Sequence, residues 1–232
     1  MVELDRISWN LPRPRSTWTP FTQRASVRLL RLPDPMLSRP GPLPSGSGWS
    51  FEVKWDGFRA IVSTEEGLRV RGRRGWNMTS VLPELRKLPA GLVLDGELVA
   101  WNRRGEPWFP NVCRRVLNYD LSVPVTYVVF DLLRLDGTDL TERTFAERRD
   151  FLARLGLDAP GWVTSETFDD GHALYTAVCA QSLEGVVAKK LLESYRPGER
   201  RWVKVKNPCY WRREEEREAV ARSRERRART RA

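Results

Sequence analysis

The stretch FEVKWDGFRA, residues 51–60, places a lysine at the end of an apolar run and two residues before an Asp-Gly turn signal. A lysine amine can lose its proton when burial and neighbouring cations lower its pKa, and it can then attack an electrophile, which a guanidinium cannot do. Asp-Gly predicts a hairpin that joins the strand ending at Lys54 to one starting at Phe58 and brings Lys54 and Arg59 to one pocket. Lys54 is therefore a candidate nucleophile.

Lysine is scarce in this chain and unevenly placed. Of 40 basic residues only six are lysines, and five of the six fall in predicted strands: Lys54, Lys189, Lys190, Lys204 and Lys206. An arginine-rich chain that needed only positive charge at these positions would be expected to use arginine. For any single lysine, the alternative is a stem that packs beside a sheet while the ammonium reaches water.

The formal net charge of +10 is concentrated at the two ends of the chain. Residues 1–50 hold seven arginines and three acids, and residues 211–232 hold nine arginines and five acids. Basic segments on a near-neutral centre suit a polyanion such as nucleic acid, because cations beside phosphates release counterions. For residues 211–232, a solvated helix with internal Glu–Arg pairs is an equally good interpretation.

The cysteines and the apolar runs indicate the compartment. Three widely separated cysteines match neither a zinc site nor a disulfide framework, which predicts reduced and buried thiols. No apolar run approaches the length of a membrane span, and the N-terminus lacks the pattern of a signal peptide. We therefore expect a cytoplasmic protein with no membrane partner.

The composition divides the chain into three segments. Residues 1–48 are rich in Pro, Gly, Ser and Arg, which predicts an irregular basic arm. Order is expected to begin near Trp49, and residues 49–210 should form a folded domain. Residues 211–232 should form a basic helical tail.

Within the folded domain, eight short runs bounded by Gly, Pro or Asp, many of them alternating or rich in Val and Leu, predict strands. These are residues 51–54, 58–64, 68–73, 92–101, 124–132, 161–164, 184–190 and 201–206. Three helices are expected, at roughly Thr79–Leu88, at Thr141–Leu155 with Thr141 as its cap, and at Asp169–Gln181. Strands and helices do not alternate regularly, which argues against a doubly wound parallel sheet.

The stretch EVKWDGFR resembles the K-x-D-G-x-R signature of the nucleotidyltransferase family that contains ATP-dependent DNA ligases, RNA ligases and mRNA capping enzymes. Four further stretches are similar to later motifs and occur in the family's order: VLDGELVAW (93–101), YVVFDLLRLDG (127–137), LEGVVAKK (183–190) and WVKVKN (202–207). A turn, a buried strand or a charged edge strand would explain each one alone, but their joint occurrence favours the family. The resemblance covers residues 36–210 and is closest to bacterial end-joining-type ligase domains.

The resemblance implies two catalytic residues. Lys54 would attack the α-phosphate of ATP and keep AMP as a lysyl phosphoramidate. Asp56 would orient Lys54 or assist later attack by a 3′-hydroxyl, and its alternative role is to shape the turn before Gly57. Nearby cations such as Lys204 and Arg59 would lower the pKa of the nucleophile from its usual value.

The resemblance also implies contacts to the nucleotide and to a metal ion. Glu52 would meet the adenine edge, Phe130 and Val187 the two adenine faces, Arg59 the ribose or phosphate, Glu97 the ribose hydroxyls, and Lys204 and Lys206 the α-phosphate. Arg73 would also bind the nucleotide, although Gly72 and Arg74 replace the serine and asparagine of the usual Ser-Arg-Asn-Gly motif. Glu184 would hold Mg²⁺, since a hard carboxylate suits that ion beside a triphosphate.

The fold implied by the resemblance is α+β, an ATP-grasp-like nucleotidyltransferase core of two antiparallel β-sheets flanked by helices. Residues 49–210 would be an adenylation domain. Related ligases continue into an OB-fold domain, whereas here only the basic tail follows Lys206, so a full C-terminal OB-fold domain is not expected.

The implied function is ATP-dependent adenylyl transfer to a DNA 5′-phosphate, with ATP and Mg²⁺ as cofactors. The implied substrate partner is nicked or broken duplex DNA. A second implied partner is a DNA-end-binding protein, a clamp protein or an OB module that acts in trans. The alternatives are an RNA-end ligase, a capping-type guanylyltransferase and a non-catalytic nucleic-acid-binding remnant.

Overall fold

The computed structural model describes residues 32–212, which form two β-sheets with helices packed on their outer faces. The strands are β1 Leu37–Pro40, β2 Trp49–Val53, β3 Phe58–Ser63, β4 Arg69–Gly72, β5 Leu92–Val99, β6 Thr126–Leu135, β7 Thr138–Asp139, β8 Trp162–Thr164, β9 Gly185–Lys190 and β10 Arg200–Lys206. The α-helices are α1 Phe109–Leu117, α2 Phe145–Arg154 and α3 Gly171–Ala180, and two short 3-10 helices span Thr79–Val81 and Pro83–Lys87.

The first sheet has the strand order β1-β10-β9-β2. β10 and β2 each pair antiparallel with β9, and β1 pairs parallel with β10. Val187 on β9 lies opposite Lys204 on one side and Glu52 on the other. Because directly opposed residues project from the same face of a sheet, these three side chains share one face.

The second sheet has the order β4-β3-β5-β6-β7, and β8 also pairs with β6. In this sheet β3 pairs antiparallel with β4 and β5, and β6 pairs antiparallel with β5 and β7. β8, by contrast, runs parallel to β6. Both sheets are therefore mixed, and the expectation of two purely antiparallel sheets is wrong. The parallel β6–β8 pair follows from a long connection that contains α2, since parallel neighbours cannot be joined by a tight turn.

The predicted hairpin between Lys54 and Phe58 is also wrong. β2 belongs to the first sheet and β3 to the second, so residues 54–57 carry the chain from one sheet to the other. A Cβ on Gly57 would lie 1.9 Å from the carbonyl oxygen of Leu98. Glycine is needed here for close approach of two backbones rather than for a two-residue turn.

All eight predicted strands are present, with ends that differ by up to three residues. Two strands were not predicted: β7, and β1, which lies inside the expected irregular arm. Order therefore begins before Trp49. The rest of the expected arm that precedes residue 32, and the tail beyond residue 212, lie outside the described residues.

The helices required more correction. α1 was not predicted, and the expected helix over residues 79–88 is two 3-10 turns, because Pro83 excludes Leu82 from the α-helical conformation. α2 begins after Thr144, not after Thr141. The Thr144 hydroxyl accepts from the Glu147 N–H, and the Glu147 carboxylate accepts from the Thr144 N–H, which is a capping box.

The hydrophobic core has three parts, as expected for two sheets covered by helices. One part packs α1, α2 and the 3-10 turns against the outer face of the second sheet. Another packs α3 against the outer face of the first sheet. The third lies between the sheets and includes Phe130, Tyr195 and Trp202. This inner part closes one end of the cleft that contains the candidate site.

Two further sequence expectations concern the cysteines and membrane spans. Cys113 and Cys179 are free and half-buried, and Cys209 is free and exposed, so the expectation of buried thiols is wrong. Among residues 32–212 there is no helix with the length and apolarity that crossing a bilayer requires.

Candidate active site

A cavity of about 480 Å³ opens between the two sheets. It is lined by eight of the residues that the sequence assigned to the site: Glu52, Lys54, Arg59, Arg73, Glu97, Phe130, Val187 and Lys204. Small-molecule sites typically occupy roughly 300–1,000 Å³, so a nucleotide is within its capacity. Residues that are up to about 150 positions apart in the chain thus converge on one cleft.

A second cavity, of about 350 Å³, lies on the other side of Lys54. Asp56 and Glu184 line this second cavity, and Lys54 lines both. The candidate nucleophile therefore stands at the wall between two spaces, each of which can admit a different substrate.

Glu184 joins two of the lysines. Its Oε2 accepts from Lys54 Nζ at 2.6 Å and its Oε1 lies 3.2 Å from Lys206 Nζ. The backbone brings them together, because the Lys54 N–H donates to the Gly185 carbonyl and Lys206 lies opposite Gly185 in the sheet. A Cβ on Gly185 would lie 2.2 Å from a backbone oxygen of β10, so this approach requires glycine.

Lys204 lies two residues before Lys206 on β10 and faces the first cavity. Partial burial lowers the pKa of Lys204, and the positive charges of Lys54 and Lys206 lower it further. The three ammonium groups are thus close enough to influence one another. A cluster of this kind favours a ligand that carries several negative charges.

Phe130 and Val187 line the cavity from opposite sheets, Phe130 from β6 and Val187 from β9. The Phe130 ring is 8% exposed and packs edge-on against Trp202, with ring centroids 5.8 Å apart. An aromatic face on one side and a branched aliphatic on the other can hold a flat heteroaromatic ring between them.

Glu52 is buried at the inner end of the cavity and is paired with a residue that the sequence analysis gave no role. Its Oε1 accepts from Lys189 Nζ at 2.7 Å. Lys189 is only 1% exposed, and its ammonium also lies over the Phe130 and Trp202 rings. Burial lowers the pKa of Lys189, and Glu52 opposes that shift.

Arg59 lines the cavity, but its guanidinium is already engaged. Nη2 donates to Asp95 Oδ2 at 2.6 Å and to the Met36 carbonyl at 3.0 Å, and Nε donates to Asp95 Oδ1. Tyr195 also donates to Asp95, at 2.6 Å. Burial works against the charge on Arg59, yet the Asp95 carboxylate raises its pKa overall. Sequence analysis missed both supporting residues: Asp95 stands inside the quoted DGEL motif, whereas no local signal marks Tyr195.

Glu97 lies opposite Arg59 on β5, and its half-buried side chain lines the cavity. Removal of water raises the pKa of the Glu97 carboxyl to about 8, although Arg59 and Lys54 act in the other direction. A carboxyl that keeps its proton can donate as well as accept a hydrogen bond.

Arg73 and Arg74 follow β4 and line the cavity mouth. Partial burial lowers the pKa of Arg73, and the nearby charge of Arg200 is the next cause. Arg200, which the sequence motifs did not identify, therefore lies close enough to Arg73 to add positive charge beside it.

Asp56 does not face the first cavity. Its carboxylate accepts from the Tyr210 hydroxyl at 2.7 Å and from Arg212 Nη1, and it is 8% exposed. Both partners follow the last strand, close to the predicted boundary of the tail. Arg212 therefore packs into the domain and is not part of the solvated or DNA-binding helix that was expected from residue 211 onward.

The family of the chain follows from the five ordered motifs, this cleft and a direct comparison. Residues 42–206 match the family model of the ATP dependent DNA ligase domain, so the chain belongs to that family. The family predicted from the motifs is confirmed.

Two curated relatives show the extent of the match. The multifunctional non-homologous end joining protein LigD of Mycolicibacterium smegmatis is 36% identical over 183 residues, which cover 74% of this chain and 23% of that protein. The SPbeta prophage-derived DNA ligase-like protein LigB of Bacillus subtilis is 34% identical over 165 residues, which cover 68% of this chain and 61% of LigB. The chain therefore spans about a quarter of LigD and about three-fifths of LigB.

Solved structures agree with these relatives. The ligase domain of LigD from M. tuberculosis superposes with a TM-score of 0.66 at 34% identity, covering 75% of this chain and 59% of that one. Mycobacterial DNA ligase D complexed with ATP and MES gives the same TM-score and identity, with 75% and 60% coverage. The mixed two-sheet fold is thus shared with part of the LigD ligase domain.

Proposed function

We propose that this chain carries out ATP-dependent adenylyl transfer in the manner of a DNA ligase, with Lys54 as the nucleophile. The observation that carries the proposal is the position of the Lys54 amine, which lies between two cavities and 2.6 Å from Glu184. Family membership supports the reaction class, and the structural relative with bound ATP supports the nucleotide. An ATP-grasp-like core of this kind holds the nucleotide between its sheets.

In the first proposed step, Lys54 Nζ attacks the α-phosphorus of ATP. The phosphorus–nitrogen bond forms, the bond to the bridging oxygen breaks, and pyrophosphate leaves. Glu184 Oε2 is in hydrogen-bonding contact with the amine and takes its proton. Lys204 and Lys206 stabilise the negative charge that develops on the transferring group, the largest contribution in phosphoryl-transfer chemistry.

The next two proposed steps use a nick in duplex DNA. A 5′-phosphate oxygen attacks the lysyl-AMP, and Lys54 leaves as the AMP passes to the DNA. The 3′-hydroxyl of the neighbouring strand then attacks the activated 5′-phosphorus, and AMP departs. Lys54 at the wall between the two cavities would meet the nucleotide on one side and the DNA end on the other.

The nucleotide is held, in this proposal, by the residues that line the first cavity. Phe130 and Val187 enclose adenine. Lys189 holds the Glu52 carboxylate in place so that it can accept from the adenine amino group. Glu97 meets the ribose hydroxyls, and Arg73 at the mouth meets the phosphates or the DNA.

The donor set fits Mg²⁺ when the nucleotide supplies most of its ligands. Within residues 32–212 no group of three or more His, Cys, Asp or Glu side chains is arranged to hold a metal. Mg²⁺ in nucleotide sites is usually bound through one or two carboxylates together with phosphate oxygens and water, and Glu184 would be the carboxylate. When bound, the ion neutralises phosphate charge. Glu184 also serves to orient Lys54 and Lys206.

The proposed partner is nicked or broken duplex DNA, with a DNA-end-binding protein, a clamp protein or an OB module that acts in trans. The aligned part covers 59% of the LigD ligase-domain structure. Three free cysteines support a reducing, cytoplasmic setting.

Labelling with α-labelled ATP tests the proposal. The full chain with Mg²⁺ should take up one AMP on Lys54, and Lys54→Arg should abolish the label while Lys87→Arg, a change at an exposed lysine, leaves it intact. Equal labelling of Lys54→Arg would reject the assignment. Preferential labelling by GTP would instead favour a capping-type guanylyltransferase, and sealing of nicked RNA in preference to DNA would favour an RNA-end ligase.

A further inference from the structure

The chain does not leave the domain at the end of β10 but folds back beside the nucleophile. Asn207 begins this return, since its N–H donates to the Glu184 carbonyl at 2.9 Å and its side-chain amide donates to the Leu183 carbonyl at 3.0 Å. Tyr210 N–H then donates to the Asn207 carbonyl at 3.3 Å. This turn brings residues 210–212, here called the return segment, against Asp56.

Two residues of the return segment bind the Asp56 carboxylate. The Tyr210 hydroxyl donates to Oδ2 at 2.7 Å, and Arg212 Nη1 contacts both carboxylate oxygens. Tyr210 is 6% exposed, and burial together with the Asp56 charge raises the pKa of its phenol above the usual value. A carboxylate with two such donors has its orientation fixed and still has free lone pairs for a third donor.

Aromatic contacts hold the return segment in place independently of Asp56. The Trp211 ring stacks on Trp108, with ring centroids 4.6 Å apart. The Arg212 guanidinium lies over the Phe109 ring, 3.5 Å from its centroid. Arg212 is therefore held between a carboxylate and an aromatic face. This contrasts with an exposed ion pair, which contributes at most about 1 kcal/mol and seldom fixes geometry.

The return segment also builds the second cavity. Asp56, Tyr210 and Trp211 line it together with Lys54 and Glu184. A substrate group that enters this space thus meets the oriented Asp56 carboxylate and the nucleophile on the same wall. The motif that placed Asp56 two residues after Lys54 contains no information on how its carboxylate is aimed, which depends on residues more than 150 positions away.

We infer that Tyr210 and Arg212 are positioning residues that aim the Asp56 carboxylate into the second cavity, where it accepts the hydrogen bond of an incoming strand-end hydroxyl. This inference rests on the proposed function. In the sealing step the hydroxyl oxygen forms a bond to the activated 5′-phosphorus, the bond from that phosphorus to AMP breaks, and the proton passes to Asp56 and then to water. The return segment keeps the carboxylate in place for that step.

Sealing of a pre-adenylated DNA nick by the full chain, measured beside Lys54 labelling by ATP, separates this step from nucleotide charging. Tyr210→Phe and Arg212→Met should each slow sealing at least ten-fold more than they slow labelling. Arg212→Lys should recover part of the loss, because it restores the charge but not the two-oxygen contact. Tyr119→Phe and Arg201→Met, changes at exposed positions, are the matched controls and should behave like the unsubstituted chain.

Double variants test whether the two residues act through Asp56. If they do, Arg212→Met and Tyr210→Phe should add less than a two-fold loss of sealing when Asp56 is already Asn. Full additive losses would overturn the inference, as would unchanged sealing in the single variants or an equal loss of labelling. Intact labelling without any sealing by the unsubstituted chain would also overturn it, while leaving adenylyl transfer to Lys54 in place. Loss of Lys54 labelling in the unsubstituted chain would instead reject the proposed function.

Discussion

Lys54 Nζ and Glu184 Oε2 lie 2.6 Å apart, although 130 positions separate them in the chain. The Glu184 carboxylate is nearly inaccessible to solvent, and its second oxygen lies beside Lys206. A buried carboxylate between two ammonium groups offsets one of their two positive charges and can accept a proton from either one. Glu184 therefore connects the proposed nucleophile, Lys54, to Lys206, which we propose to contact the phosphate.

Glu184→Gln should preserve the shape of this cluster but remove both the proton acceptor and the negative charge. We expect the rate of Lys54 labelling to fall by about 10²-fold or more, in the range typical of general acid–base groups. We also expect sealing of a pre-adenylated nick to be lost in Glu184→Ala. Glu142→Gln, at a carboxylate that is largely exposed and paired with Arg196, is the control. A labelling rate within two-fold of the unsubstituted chain would show that Glu184 does not serve the charging step.

Lys189→Met should destabilise the domain because it leaves the Glu52 carboxylate buried without its ionic partner. Breaking one half of a buried pair typically costs about 3–5 kcal/mol in the free energy of unfolding. Urea denaturation measures the loss, and Lys190→Met on the exposed side of the same strand is the control. The double change Lys189→Met with Glu52→Gln should recover much of the stability. A loss below about 1 kcal/mol in the single variant would contradict the pairing.

Glu97 should make stability depend on pH in a characteristic direction. Its pKa in the folded chain, about 8, exceeds the ordinary value of 4.5, so the folded state binds its proton more tightly than the unfolded state. Proton binding by Glu97 therefore contributes fully to the free energy of unfolding below pH 4.5. This contribution is lost as the pH rises towards 8, with a slope on the order of 1 kcal/mol per pH unit.

The free energy of unfolding of Glu97→Gln, compared with that of the unsubstituted chain between pH 5 and 9, isolates this dependence. As the pH rises, the free energy of unfolding of the variant should increase relative to that of the unsubstituted chain. A difference that stays constant, or one that shifts the other way, would mean that the carboxyl is ionised throughout.

Removal of residues 213–232 should weaken binding to nicked duplex DNA and flatten its salt dependence. The deleted stretch has eight arginines and five acids. A plot of log affinity against log salt becomes less steep by about 0.9 for each DNA phosphate that the shortened chain no longer neutralises. The cut is made after Arg212 because that residue holds Asp56. Nucleotide labelling should be retained. An unchanged slope would assign these residues to a solvated segment.

The eight predicted strands were recognisable because each is a short stretch that contains β-branched, aromatic or leucine residues and lies between breakers. β1 was not, because its sequence LSRP contains proline and serine, and its partner β10 is more than 150 residues away. The hairpin was wrongly predicted because Asp-Gly permits a turn but does not establish which strands pair. The Thr144–Glu147 capping box, by contrast, was visible in the sequence as T-x-x-E and was missed.

The candidate site shows the same division between local and distant information. Motif residues such as Lys54, Glu97 and Lys204 were identified because they stand at fixed spacings within short stretches. Other site residues are held by distant partners that were given no role: Asp95, itself bonded to Tyr195, pairs with Arg59, and Arg212 pairs with Asp56. Sequence patterns here predicted which groups do chemistry, whereas the supporting hydrogen bonds required the tertiary structure.

The order of strands in the first sheet, β1-β10-β9-β2, has a consequence for synthesis of the protein on the ribosome. This sheet combines residues 37–53 with residues 185–206. Pairing of these strands must offset the entropy lost in closing the long loop between them, and it cannot begin until nearly all of the described chain has been made. The second sheet can form earlier from residues 58–164. A nascent chain would therefore hold Lys54 without Glu184, Lys204 or Lys206, and the cleft would be completed only when β10 emerges.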